Sequence, residues 1–229
     1  YLDEIRVKDL DASQFTADLV AKLGADFQDQ DKLGRLKVIT DLGLEDASAC
    51  ATLPTTGQPI AFPDETPVAG CVYENLYSFG SRSFTIWDTS TGRPVFDSGS
   101  EFERITGQQL GGSFNASNDS NDGDDRSDDK GPEPEAVEIA TINGNTFAFV
   151  VLERVGGVMV YNITNPQNAK FVQYINPRDF TVDDDAVEAN LAGPLGPEDV
   201  KFITQDGEMY LLVSNEVSGT LSIYSVTML

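Results

Sequence analysis

An internal repeat limits what this chain can fold into more than any other feature. Residues 134–161 align with residues 197–224 at a constant offset and without a gap. Nine of the 28 aligned positions are identical, among them Pro134/Pro197, Glu135/Glu198, Gly144/Gly207, Glu153/Glu216, Gly156/Gly219 and Tyr161/Tyr224. Within each copy, short runs rich in Val, Ile, Phe and Thr alternate with turns that carry Gly or Asn. That is the pattern of strands joined by tight hairpins. In the first copy the strands are expected at 135–142, 146–153 and 157–163, with a fourth at 170–175. A weaker third copy is expected upstream. Residues 75–88 (NLYSFGSRSFTIWD) have the two-strand shape of 147–162, with Trp87 where Tyr161 and Tyr224 fall. Residues 36–40 would be its inner strand and 94–97 its outer one.

Antiparallel four-stranded units repeated along a chain predict an all-β fold built from β-propeller blades. The blades are expected at 34–105, 134–176 and 197–229, the last one incomplete. Residues 106–133 and 177–196 are acidic connecting loops. Residues 1–33 form a separate leading segment. There a short helix is expected to run to Leu23, capped by Asp11 or Ser13 and ended by Gly24. About three blades cannot close a ring, so further blades are expected from an absent N-terminal part or a second chain. A β-sandwich made from the same hairpins is the competing fold.

The 229 residues carry 15 Lys and Arg against 38 Asp and Glu, for a net charge of −23, and there is no histidine. Such a charge repels phosphate backbones, so nucleic acid is excluded as a partner. Imidazole chemistry and His-ligated zinc are excluded outright. No apolar run approaches the roughly 20 residues that a membrane-spanning helix needs. What remains is carboxylate chemistry, which suits hard cations, above all Ca²⁺.

The acid is concentrated. Residues 115–135 (NASNDSNDGDDRSDDKGPEPE) hold eight acidic and two basic side chains. Part of this loop approaches the EF-hand spacing, with Asn118, Ser120, Asp122, Asp124 and Asp129 as oxygen ligands around Gly123. It departs from that pattern at the first position, which is Asn, and at the last, which is Asp in place of Glu. A solvated acidic loop is the simpler reading. Glu135 and Glu198, each following a Pro at the start of an inner strand, would face one another at a channel mouth. There they would share a cation or raise one another's pKa. Glu153 and Glu216 are read as turn-stabilising. The cations nearest this field are Arg82, Arg126, Lys130 and Arg154.

Cys50 and Cys71 flank a Thr/Pro/Gly-rich stretch. A disulfide between them would stabilise the fold by roughly 3 kcal/mol and would imply an oxidising compartment. Two buried thiols are the other possibility. Sequons stand at Asn115, Asn118 and Asn162. The chain opens at Tyr1 without an initiator Met and reads as a processed or partial chain.

The segments 79–88 (FGSRSFTIWD), 125–135 (DRSDDKGPEPE), 152–157 (LERVGG) and 215–220 (NEVSGT) resemble the choice-of-anchor I proteins, which include mesenchyme-specific cell-surface glycoproteins. The resemblance covers most of the chain and looks like the C-terminal half of the family domain. It implies a β-propeller exported to the cell surface or matrix. The insertion between Cys50 and Cys71 departs from the family pattern. The expected function is a secreted, Ca²⁺-associated interaction module with an extracellular protein or matrix partner. A structural subunit of a larger assembly is a further reading. The enzymatic alternative is a Ca²⁺-dependent phosphoesterase, with Asp128, Asp129, Lys130 and Glu135 as first candidates.

Overall fold

The computed structural model describes residues 4–50, 70–80 and 82–227. The chain divides into two compact units, Tyr1–Gly80 and Ser81–Leu229.

In the first unit, β1 (Glu4–Arg6) pairs antiparallel with β2 (Lys37–Ile39). Ile5 and Val38 pair in register and join Val7, Leu10, Phe15, Leu19, Phe27 and Tyr73 in a small core. Cys50 and Cys71 form a disulfide inside that core. The helix α1 spans Ala17–Leu23 and starts later than expected. Its cap is Thr16, whose hydroxyl accepts from the Leu19 amide at 3.2 Å. Asp11 instead caps a separate 3-10 turn at Ala12–Gln14. Gly24 ends the helix as expected, at a φ of 94°.

The second unit carries the repeat. The strands β5 (Pro134–Ile142), β6 (Asn145–Leu152), β7 (Val158–Asn162) and β8 (Lys170–Ile175) form one antiparallel sheet in sequence order. The strands β9 (Pro197–Gln205), β10 (Glu208–Asn215) and β11 (Thr220–Ser225) form a second. Both first hairpins turn on two residues of positive φ, Asn143–Gly144 and Asp206–Gly207. This geometry matches the twist of the flanking strands and explains the repeated Gly. All-β, antiparallel, blade-like sheets are therefore what the repeat encodes.

Alternation along the strands decides which sheet face is buried where. One face of the first sheet, with Ile142, Phe147, Phe149, Val151, Val158 and Val160, packs on Val200, Leu211 and Val213 of the second. Its opposite face, with Val150, Leu152, Met159, Tyr161 and Tyr174, packs on Phe102 and Ile105 of α2 (Glu101–Leu110) and on Phe84. A short helix, α3 (Asp184–Glu188), lies in the loop between the two sheets.

Among the described residues, the range 34–105 expected to be a blade forms no four-stranded sheet. The run at 36–40 supplies β2, which pairs with β1. The outer strand expected at 94–97 does form, as β4 (Arg93–Asp97), and among the described residues it pairs only with β3 (Thr85–Asp88). Trp87 is 57% exposed, unlike the fully buried Tyr161 it was matched with. Short apolar runs have many possible partners, and β1 is the one that buries Val38 completely.

Candidate functional site

The repeat brings its acidic residues to one end of the two sheets. Each inner strand opens on a Pro-Glu step, and a Glu directly follows each second strand. The backbone ties these points together in the same way in both copies. The Glu153 amide donates to the Glu133 carbonyl at 2.8 Å, and the Glu216 amide donates to the Gly196 carbonyl at 2.8 Å. The turn-stabilising bond expected at these glutamates is thus made by the main chain. Glu133 and Gly196 are the repeat-equivalent acceptors, and both have positive φ, 55° and 67°.

The carboxylates are left to one another and to a few cations. Glu133, Glu135 and Glu153 each place an oxygen within 4.8 Å of the others. Glu133 is buried and receives Lys130 Nζ at 2.6 Å, Arg154 Nε at 2.9 Å and Arg126 Nη2 at 3.3 Å. Burial alone would raise its pKa, but Lys130 and Arg154 more than offset this and hold it below the ordinary value. Glu153 is also buried, with Arg154 Nη2 at 3.0 Å. Burial, with the nearby charges of Glu133, Glu135 and Glu216, pushes it up to about 7. Glu198 is raised by burial and then by Glu216, Glu135 and Asp199. These five glutamates form one electrostatic group with Arg154 among them.

The EF-hand-like positions are placed apart from the glutamate cluster. Among the described residues, Asp122, Asp124 and Asp129 belong to no cluster of three carboxylates whose oxygens converge. Asn118 is buried, and Ser120 accepts from the Asp122 amide at 3.0 Å. Asp129 pairs with Arg126 at 3.1 Å. The loop is folded around arginines. Arg82 pairs with Glu103 at 2.6 Å and donates to the carbonyls of Ser127 and Asp129 at 2.6 and 2.7 Å. Arg178 is buried and donates to the carbonyls of Ser117, Ser120 and Arg154 at 2.6, 2.8 and 3.2 Å and to Asn121 Oδ1 at 3.1 Å. Its burial lowers its pKa to about 10.

The catalytic candidates are held by partners around Glu133. Lys130 is committed to Glu133 and Asp129 to Arg126. Asp128 lies in the same turn as Asp129, and Glu135 faces the glutamate group instead. Of the sequon asparagines, Asn115 is fully buried, with its Nδ2 donating to Glu103 and Ser127. Asn162 is only partly buried and caps its own turn by accepting from the Thr164 amide.

Glu133 and Arg178 were not singled out in the sequence. The signal at Glu133 is its alignment with Gly196, which marks a position of special backbone geometry. Arg178 carries no motif, and its partners lie 24 to 61 residues away.

Among the described residues no helix is long and apolar enough to cross a membrane. The chain is 28% identical over 166 residues to Gigasin-3a of Magallana gigas, covering 67% of this chain and 58% of that relative. It thus spans less than two thirds of that relative's length. Residues 62–166 match the Choice-of-anchor I domain, the family that the motifs resemble.

Proposed function

We propose that this chain is part of a secreted or cell-surface β-propeller interaction module that works in an extracellular assembly or matrix. The Choice-of-anchor I match and the Cys50–Cys71 disulfide support an extracellular location. Further blades, from the rest of the protein or from a second chain, complete the ring. The module binds through its acidic blade end, and Ca²⁺ associates there in preference to the 118–129 loop. The observation that carries this reading is the gathering of Glu135, Glu153, Glu198 and Glu216 with Glu133, where, of these glutamates, Lys130 and Arg126 reach only Glu133 and Arg154 faces the rest. Carboxylate oxygens fit a hard cation. A bound Ca²⁺ would relieve the mutual repulsion that Arg154 only partly offsets, and would leave the blade end able to bridge to an anionic partner.

Calorimetric titration with Ca²⁺ tests this. The wild-type protein and Asp122→Asn/Asp124→Asn should bind alike, while Glu135→Gln/Glu198→Gln should lose most of the heat. Unchanged binding in the glutamate variant would sink the reading. So would hydrolysis of p-nitrophenyl phosphate that requires Ca²⁺ and is abolished by Asp128→Asn/Asp129→Asn, which would favour the phosphoesterase.

A further inference from the structure

The fold treats the three sequons differently. Asn115 is fully buried, and both protons of its Nδ2 are in use, towards Glu103 Oε1 at 2.9 Å and Ser127 Oγ at 3.0 Å. Asn118 is buried too, in the stretch between Ser117 and Ser120, whose carbonyls both accept from Arg178. A sugar on either residue needs space that the folded loop does not have. Asn162 stands apart from both. It ends β7, it is partly exposed, and its Oδ1 accepts from the Thr164 amide at 3.0 Å. That bond fixes the carboxamide, while among the described residues its Nδ2 has no hydrogen-bond partner. Thr164, which completes this sequon, is exposed.

We propose that Asn162 carries an N-linked glycan in the folded, secreted protein and that Asn115 and Asn118 stay bare. This rests on the extracellular reading above, because the donor is a lipid-pyrophosphate-linked oligosaccharide of the secretory pathway. In the transfer, Asn162 Nδ2 forms a bond to C1 of the first sugar and gives up one proton. The bond from C1 to the pyrophosphate oxygen breaks, and the lipid pyrophosphate leaves.

The surroundings of Asn162 suit a bulky, hydrated group. Beside it lies a depression of about 490 Å³, walled by Thr164, Asn165, Asn168, Lys170 and Val172. Asn165, Asn168 and Lys170 are exposed and can meet sugar hydroxyls, and Val172, 49% exposed, offers an apolar surface to the face of a sugar ring. The position also keeps the sugar away from the acidic end of the sheet. Asn162 pairs with Phe147 near the start of β6, whereas Glu153 directly follows the end of that strand. At the rise of a β-strand the two ends are roughly 20 Å apart. Attachment at Asn162 therefore leaves the glutamate group uncovered. Attachment at Asn115 or Asn118 would instead break open the loop that holds Arg126 and Lys130 against Glu133.

The test secretes the 229-residue chain from cultured animal cells behind an added signal sequence. Release with peptide N-glycosidase in heavy-oxygen water, followed by peptide mass mapping, converts each occupied Asn to a labelled Asp. Asn162 should be labelled, and Asn115 and Asn118 should not. Asn162→Gln and Thr164→Ala should each lose the glycosidase-sensitive gel shift completely, and Thr164→Ser should keep it. Secreted chain with the Cys50–Cys71 bridge formed but Asn162 bare would overturn this proposal and leave the extracellular reading standing. Label at Asn115 or Asn118 in secreted protein of native circular dichroism would overturn it as well. Asn162 occupied in a chain that forms no bridge would support the site while counting against the extracellular reading.

Discussion

Glu153 and Glu216 are the same position of the repeat, yet their surroundings separate them. Glu153 is buried beside Glu133 and Arg154, and Glu216 is exposed. Glu153 therefore holds its proton up to about pH 7, whereas in the unfolded chain it would release it near 4.5. Between those values the folded state binds the extra proton, so this group's contribution to stability is full below about pH 4.5. It is lost as the pH rises towards 7. At about 1.4 kcal/mol per pH unit, discounted for the paired Arg154, the loss is on the order of 2 kcal/mol. Urea unfolding at pH 5 and pH 8 should show wild type losing stability relative to Glu153→Gln by that amount. An identical pH dependence in the two proteins would count against this account. The same position illustrates what a motif conveys. The repeat identified Glu153 and Glu216 as a matched pair, but only burial beside Glu133 distinguishes them chemically.

At the scale of elements, the strands follow from local rules. The expected strands at 135–142, 146–153, 157–163 and 170–175 match β5 to β8 within two residues at each end. Alternation and turn chemistry are properties of neighbouring residues, and a single sequence displays them. Gly157 shows how tightly β7 is tied to β8. Its φ is 87°, and a Cβ there would lie 2.5 Å from the Ile175 carbonyl oxygen and 2.7 Å from the Tyr174 ring. Backbone on one side and a buried ring on the other leave no room to give. Gly157→Ala should cost about 3 kcal/mol or more in thermal or chemical unfolding. A loss under 1 kcal/mol would mean that this turn relaxes more freely than its contacts suggest.

At the scale of the whole molecule, the repeat compares buried and exposed faces within one chain. Val158 and Val160 are 2% and 6% exposed, because the second sheet covers them. Their equivalents Leu221 and Ile223 are 60% and 62% exposed. On the other side, Val137 and Ile139 are exposed where Val200 is buried against the first sheet. The far face of β11 and the β5 row of the first sheet therefore expose apolar side chains in a pattern that a neighbouring blade would cover, while α2 already covers the rest of the first sheet's far face. Leu221→Lys/Ile223→Lys should leave the unfolding midpoint of this chain nearly unchanged, within about 0.5 kcal/mol, because these side chains are already in water. In an assembly with the further blades proposed above, the same pair should be strongly destabilising. Equal small effects in both would show that no blade packs on this face.

The sequence by itself determined the strands and turns of the two repeated sheets, the helix stop at Gly24 and the acidic character of the 115–135 loop. Each depends on residues close together in the chain, or on composition. The Cys50–Cys71 bridge was readable from two cysteines with no competitors. Only the tertiary structure decided that β2 pairs with β1, that Glu133 joins the repeat-matched glutamates, and that Arg178 folds the acidic loop. Those outcomes depend on which of many similar apolar runs and like-charged side chains meet across long separations. Acidic residues look alike in a sequence until burial and a particular arginine make them different.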